Sequence, residues 1–304
     1  MSIFAIKFTV MENILITGGN GQLGNELKNI ASNYPDYTFY FTDVDELDIC
    51  DEDAVEDFVN GHNISKIINC AAYNNVDKAE DDNDTAFKIN VMGPANLAQT
   101  AAEKDLYLIH FSTDFVFNGE KTTPYHECDR PAPLSQYGKT KYAGEIAIKK
   151  SGCRSIIIRT AWLYSIYGKN FVKTMIKLGY ENDELKVVYD QVGCPTSAED
   201  LAAAVMHIIP QLDARPRYGE VFHFTDEGHC SRAEFAAKIM EKYRLECDIL
   251  PISSEEYGSV AKRPKYSVLE KSLIRNTFGV KVPRWEMSLG KVLRTLEKME
   301  EKQA

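Results

Sequence analysis

Residues 13–24 limit what this chain can fold into more than any other stretch. Asn13-Ile14-Leu15-Ile16-Thr17 is a short apolar run of the kind that forms a fully buried parallel strand, and Gly18-Gly19-Asn20-Gly21-Gln22-Leu23-Gly24 follows at once. Gly18, Gly21 and Gly24 give G-x-x-G-x-x-G, which differs from the G-x-G-x-x-G of the commonest dinucleotide fingerprint. The physical needs are similar: a tight turn, close approach of backbone to a pyrophosphate, and close packing of helix on strand. The spacing predicts a helix from about Gln22, with Leu23, Leu27 and Ile30 facing a sheet. Its free N–H groups and positive dipole end would face a diphosphate. Three glycines alone could be only a turn. The strand before them and the amphipathic helix after them make nucleotide binding the reading.

Strand-like and helix-like segments then alternate, as in a parallel sheet with crossover helices. Strands are expected at 37–42, ending at Asp43, at 66–70, entering Ala71-Ala72-Tyr73-Asn74, at 107–111, ending at Ser112-Thr113-Asp114, and at 155–158. Helices are expected at 51–60, with Val55 and Val59 on one side, as one long helix at 84–104, and at 135–150, with a loop at 121–133. The glycine loop, Asp43, the Ala71-Ala72 turn and Thr113 all follow the carboxyl ends of successive strands, where open parallel sheets bind ligands. From about Leu163 the alternation loosens: helices at 170–178, 198–209, 232–242 and 289–299, an edge-like strand at 185–189, a turn at 190–196 and a strand at 221–224. The fold class is α/β: a Rossmann-like doubly wound parallel sheet with a smaller C-terminal α/β substrate lobe. The expected division is a dinucleotide-binding domain over 11–163, to which the chain returns at about 192–226, and a substrate lobe over 164–191 and 227–304.

A charge of -10 argues against nucleic acid or an anionic membrane surface as a partner. The seven cysteines are scattered, odd in number and free of C-x-x-C, which reads as reduced thiols of a cytoplasmic protein. No apolar run approaches the roughly 20 residues of a membrane span. Residues 1–10 are apolar but carry Lys7 and lack a small-residue cleavage pattern, so they read as an N-terminal extension and not a signal peptide.

Tyr137 and Lys141 stand four positions apart, one turn from each other on a helix face. A phenol unperturbed titrates near ~10, and a close ammonium lowers that value, giving a proton donor tuned toward neutrality. Thr113 supplies a hydroxyl that can fix the oxygen being protonated. Alone, such a pair occurs on many solvated helix faces; a nucleotide loop in the same chain gives it weight.

With the glycine loop and Tyr137-x-x-x-Lys141 together, the chain resembles the extended short-chain dehydrogenase/reductases. Asn69-Cys70-Ala71-Ala72-Tyr73-Asn74-Asn75-Val76-Asp77-Lys78-Ala79-Glu80, Ser112-Thr113-Asp114-Phe115-Val116-Phe117-Asn118-Gly119, Arg159-Thr160-Ala161-Trp162-Leu163-Tyr164, Asp190-Gln191-x-Gly193-x-Pro195-Thr196 and Arg263-Pro264-x-x-Ser267-x-Leu269 narrow the resemblance to the dTDP-4-dehydrorhamnose reductase family, from about Met11 to near residue 295. The resemblance implies reduction of the C4 ketone of a dTDP-bound deoxyhexose with NADPH or NADH. It implies that Thr113, Tyr137 and Lys141 are catalytic. Gly21, Gln22 and Leu23 match phosphate-loop contacts, and Asp43, Asp48 and Ile49 match adenosine-side positions. Ala72, Tyr73, Asn74 and Phe111 match cofactor-lining positions, and Ala71 lies beside them. Thr113, Asp114 and Trp162 match positions that touch the dTDP-sugar, with Asn74 beside the sugar. Phe115, Cys70 and Asn74 depart from the usual tyrosine, alanine and threonine, which bears on substrate contact and not on the reaction. Glu26 and Glu199 fall where some members hold Mg2+ between the subunits of a homodimer; two separated glutamates are more often solvated surface.

Charge favours NADH, since Asp43 at the end of the second strand suits a 2′-hydroxyl and repels a 2′-phosphate, with Asp45, Glu46 and Asp48 deepening the field. The family resemblance keeps NADPH open. Lys262-Arg263-Pro264-Lys265 is the most concentrated basic segment beyond residue 163, and Arg263 offers a fork for a diphosphate. Trp162 could stack on thymine or sugar or be core. Three other readings stand: an epimerase or dehydratase that recycles tightly bound NAD, a regulatory subunit that would not need Thr113, Tyr137 and Lys141, and a reductase of an unrelated small ketone.

Overall fold

The computed structural model describes residues 11–302, so the expected extension over 1–10 lies outside it. β1 (Glu12–Thr17), α1 (Gln22–Ile30), β2 (Tyr37–Thr42), α2 (Glu52–Gly61) and β3 (Ile64–Asn69) open the chain, followed by α3 (Asn83–Phe87), a π turn (Lys88–Met92) and α4 (Gly93–Glu103). β4 (Tyr107–Thr113), α5 (Gln136–Ser151) and β5 (Arg154–Thr160) come next, then β6 (Leu163–Tyr164), α6 (Phe171–Glu181), β7 (Glu184–Val188), β8 (Val192–Gly193), β9 (Thr196–Ser197) and α7 (Ala198–Ile208). β10 (Tyr218–His223), β11 (Cys230–Ser231), α8 (Arg232–Tyr243), β12 (Asp248–Ile252), α9 (Ser254–Tyr257), α10 (Ser272–Phe278) and α11 (Trp285–Glu301) complete it.

Six strands form one parallel sheet in the order β10-β5-β4-β3-β1-β2. The chain leaves β1 toward β2 and then crosses to β3 on the other side, so a topological switch point opens at the carboxyl ends of β1 and β3. The alternation along β1 is visible in its burial: Ile14 and Ile16 join one core with Leu23, Leu27, Leu201 and Val205, while Leu15 joins the opposite core with Val55, Val59, Leu97 and Ile148. Both faces are covered by helices, as parallel strands require. A separate core gathers Tyr164, Val172, Ile176, Phe235, Ile239, Leu289 and Leu293 around α6, α8 and α11, beside the parallel pair β7 and β12.

Two features differ from the sequence expectation. The long helix over 84–104 is broken by the π turn, because Pro94 has no N–H to return to the Asn90 carbonyl. The turn also sinks the Asn90 side chain, whose amide bonds the Tyr73 backbone in both directions and reaches the Thr140 hydroxyl. Residues 272–278, within the range expected for the second lobe but with no helix expected there, form α10 and pack on the large sheet: Ile274 and Phe278 enter the β1 core, and Phe278 lies 5.1 Å from Phe222 of β10.

Candidate active site

The switch point holds a cavity of about 560 Å3. Gly21, Gln22 and Leu23 reach it from the β1–α1 loop, Ala71, Ala72 and Asn74 from the end of β3, and Phe111, Thr113 and Asp114 from β4. Tyr137 and Lys141 face it from α5, Trp162 from the end of β5, and Arg232 and Arg263 from the region beyond the switch.

Helix α5 begins where Ser135 accepts a hydrogen bond from the Gly138 N–H, which sets the next two turns with Tyr137 and Lys141 on one buried face. A Cβ on Gly138 would lie 2.4 Å from the Phe115 carbonyl, so the missing side chain lets the helix lean on the loop that carries Thr113. Lys141 Nζ donates to the Phe111 carbonyl at 2.7 Å, and Tyr137 Oη donates to Asn74 Oδ1 at 3.5 Å. Thr113 Oγ1 accepts from the Phe115 N–H and donates to Asp114 Oδ1 at 3.1 Å.

The electrostatics correct one expectation. Burial pushes the Tyr137 phenol up to about 12; the Thr113 hydroxyl beside it opposes that shift and the Asp114 charge adds to it. Lys141 is not among the groups that shift the phenol, and burial draws Lys141 itself down to about 8 against the pull of Glu145. Burial also lifts Asp114 to about 6, opposed by hydrogen bonds from Ser267 and Thr113 and by the Arg232 charge. Tyr137 is therefore a phenol that keeps its proton at neutral pH.

The loop geometry suits a nucleotide diphosphate. Gly18 has φ +65°, and a Cβ there would sit 2.5 Å from the Ala71 N; one on Gly24 would sit 2.4 Å from the Gly18 carbonyl. Gly21 caps α1 without a side chain, so the first-turn N–H groups of α1 carry no side-chain cap. Asp43 Oδ2 accepts the Asn20 N–H at 2.9 Å, tying the end of β2 to this loop. Gly18, Gly24, Asp43, Asp48, Ile49 and Tyr73 do not line the cavity itself. Asp48 is held low by the Cys50 N–H, and buried Ile49 accepts from Asn96 through its carbonyl. Tyr73 Oη turns to Asp82.

On the far side, Arg263 is already engaged: Nη2 binds Asp77 Oδ2 at 2.6 Å and Nη1 binds the Ala261 carbonyl. The Trp162 indole has a guanidinium on its face, with Arg232 Cζ 3.6 Å from the ring centroid. Sequence reasoning missed Arg232, which sits in no motif and reaches the cavity only through the pairing of β11 with β8. Glu26 is buried and accepts from Ser165 Oγ at 2.6 Å, with its carboxyl raised by burial; Glu199 is exposed. Among the described residues of one chain no group of three or more His, Cys, Asp or Glu gathers.

This sheet, loop and switch-point cavity define a Rossmann-like nucleotide-binding protein. A family model described as RmlD substrate binding domain matches residues 11–298. A dTDP-4-dehydrorhamnose reductase of Sinorhizobium fredii is 38% identical over 281 residues, covering 90% of this chain and 94% of that one. A crystal structure of such a reductase from Clostridium acetobutylicum superposes with TM-score 0.89 at 43% identity, covering 94% and 99% of the two chains. One from Bacillus anthracis, in complex with NADP, gives TM-score 0.87 at 40% identity, covering 93% and 99%. The chain belongs to the dTDP-4-dehydrorhamnose reductase family.

Proposed function

We propose that this protein reduces the C4 ketone of dTDP-4-dehydro-L-rhamnose to dTDP-L-rhamnose, the last step of dTDP-rhamnose synthesis, with NADPH or NADH as reductant. The observation that carries the reading is the placement of the Tyr137 phenol and the Thr113 hydroxyl on one wall of the switch-point cavity, in a chain of this family.

Reduced nicotinamide, when bound, supplies the hydride. The chain supplies the rest. Gly21, Gln22 and Leu23, with the open N–H groups of α1, would hold its diphosphate, and Ala71, Ala72, Phe111 and Lys141 would flank the nicotinamide half. Tyr137 donates its proton to the C4 oxygen as general acid. Thr113 donates a hydrogen bond to the same oxygen as negative charge builds there. Lys141, fixed on the Phe111 carbonyl, keeps further N–H donors that would serve the nicotinamide ribose.

Asp43 makes NADH the better fit by charge, and the NADP in the Bacillus anthracis relative supports NADPH, so both reductants belong in the assay. No step of the proposed reaction runs through Mg2+. A homodimer is an assembly the family resemblance points to, and light scattering with and without a chelator tests it together with Glu26 and Glu199. Seven free cysteines and, among the described residues, no helix long and apolar enough to cross a membrane support a cytoplasmic setting. The function is tested by adding dTDP-4-dehydro-L-rhamnose to the protein with NADPH or NADH. Sugar-dependent loss of the near-ultraviolet band of the reduced nicotinamide is expected. Consumption of neither reductant would overturn the reading.

A further inference from the structure

Four cations line the cavity among the described residues: Lys141, Lys169, Arg232 and Arg263. Their surroundings differ. Lys141 donates to the Phe111 carbonyl and belongs to the nicotinamide side of the proposed reaction. Lys169 is exposed beside Gly168, whose nearest neighbour is Gln22, so it stands at the glycine-loop end. Arg263 is committed to Asp77 and the Ala261 carbonyl. Arg232 has neither a salt bridge nor a side-chain hydrogen bond among the described residues, although it is half-buried.

The fold takes trouble to hold Arg232 in that state. Its backbone N–H donates to the Gln191 carbonyl at 3.1 Å, at the start of α8. The preceding strand, β11, pairs with β8. Gly193 of β8 has no side chain where a Cβ would meet the Trp162 indole at 2.6 Å. Trp162 itself has φ +46°, a conformation costly for a large side chain, which turns its indole onto β8 and under the guanidinium. The Arg232 Cζ lies 3.6 Å from the Trp162 ring centroid and 5.1 Å from that of Phe171. Stacking engages the flat face of a guanidinium and leaves its edge N–H groups free, the fork that suits phosphate oxygens. Burial draws Arg232 down to about 10, a shift that the Asp114 charge opposes, so the guanidinium remains cationic at neutral pH.

We propose that Arg232 grips the diphosphate of the nucleoside-diphosphate sugar, with Trp162 serving as the platform that presents its guanidinium edge-on. The guanidinium covers one face of the indole, and Trp162 lines the same cavity beside it. Arg263, latched to Asp77, has a secondary part in binding the same charge. The assignment rests on the reductase reading for the identity of the sugar nucleotide.

The test is calorimetric titration of wild type, Arg232→Met and Arg232→Lys with dTDP and with thymidine. Loss of a charge-assisted contact predicts dTDP affinity lowered roughly 10- to 100-fold in Arg232→Met, thymidine affinity changed less than about twofold, and partial recovery in Arg232→Lys. Equal dTDP binding by wild type and Arg232→Met, or equal weakening of dTDP and thymidine, overturns the assignment. If Arg232→Met does not fold, Arg232→Gln, with a shorter neutral side chain, takes its place with the same two outcomes. Wild type that binds dTDP but does not reduce the 4-keto sugar overturns the reductase reading and leaves the Arg232 assignment standing. Wild type that does not bind dTDP overturns both.

Discussion

Burial keeps the Tyr137 proton in place at neutral pH, and the proposed reaction requires that proton to be delivered to one oxygen. Tyr137→Phe keeps the ring against Phe115, 5.6 Å away, and removes only the hydroxyl, so kcat should fall by roughly 10²–10⁴ with little change in melting temperature. Unchanged turnover would put the acid elsewhere. Asp43→Ala removes a carboxylate at the end of β2 that holds the Asn20 N–H, and like charges in contact cost several kcal/mol. The ratio of kcat/KM for NADPH over NADH should therefore rise by roughly tenfold or more; a fall in both with the ratio unchanged would give Asp43 a purely structural part. Thr113, Tyr137 and Lys141 were legible because short motifs place them at a strand end and on one helix turn. Arg232 and the Asp77–Arg263 pair were not, because their partners lie far off along the chain, 186 positions in the latter case. The effect of burial on Tyr137 was likewise invisible, since a neighbour four residues away can be read from spacing and a desolvated pocket cannot.

At the scale of elements, the catalytic placement depends on how closely α5 approaches the loop after β4. Gly138→Ala would put a methyl 2.4 Å from the Phe115 carbonyl. Overpacking of this kind costs about 1–3 kcal/mol and should move Tyr137 away from Thr113, so both denaturant midpoint and kcat should drop. An unaffected midpoint would mean the contact yields easily. The Arg159-containing motif has a structural reading too. Arg159 is fully buried, donates to Glu145 through Nε at 2.8 Å and Nη2 at 2.7 Å, and Ser112 donates to the same carboxylate. Arg159→Met leaves Glu145 buried without its partner, a loss of roughly 3–5 kcal/mol measurable by urea unfolding. A loss under about 1 kcal/mol would show that Glu145 finds another partner or a proton. The strands and most helices were readable from apolar periodicity, as with β2 at 37–42. The π turn was not, because its cause is a single proline whose missing donor matters only in three dimensions.

At the scale of the molecule, the large sheet and the region beyond the switch point meet around Asp226, just after β10. Its Oδ2 accepts the Ser197 N–H at the start of α7. Burial, with the Asp200 charge adding to it, raises its pKa to about 8, against the Ser197 and Ser288 hydrogen bonds and Lys271. A native pKa above the unfolded value means the folded state holds a proton the unfolded state has lost. That contribution is full below about 4 and is lost as pH rises through about 8, with a slope of at most about 1.4 kcal/mol per pH unit. Asp226→Asn should therefore show a smaller loss of melting temperature than wild type between pH 5 and pH 8, and parallel curves would contradict it. The parallel sheet was legible from the alternation of strands and helices, whereas α10 crosses back to it through two apolar residues too few to mark a direction. The central claim is that reduced nicotinamide and the Tyr137 proton add across one sugar ketone. It is tested most directly by supplying NADPH deuterated at the transferable position with dTDP-4-dehydro-L-rhamnose and locating the label by NMR. One deuterium at C4 of the product, with stoichiometric NADP+ formed, is the expected result. An unlabelled product, as from an enzyme that recycles its own nicotinamide, or label at any other carbon, would contradict it.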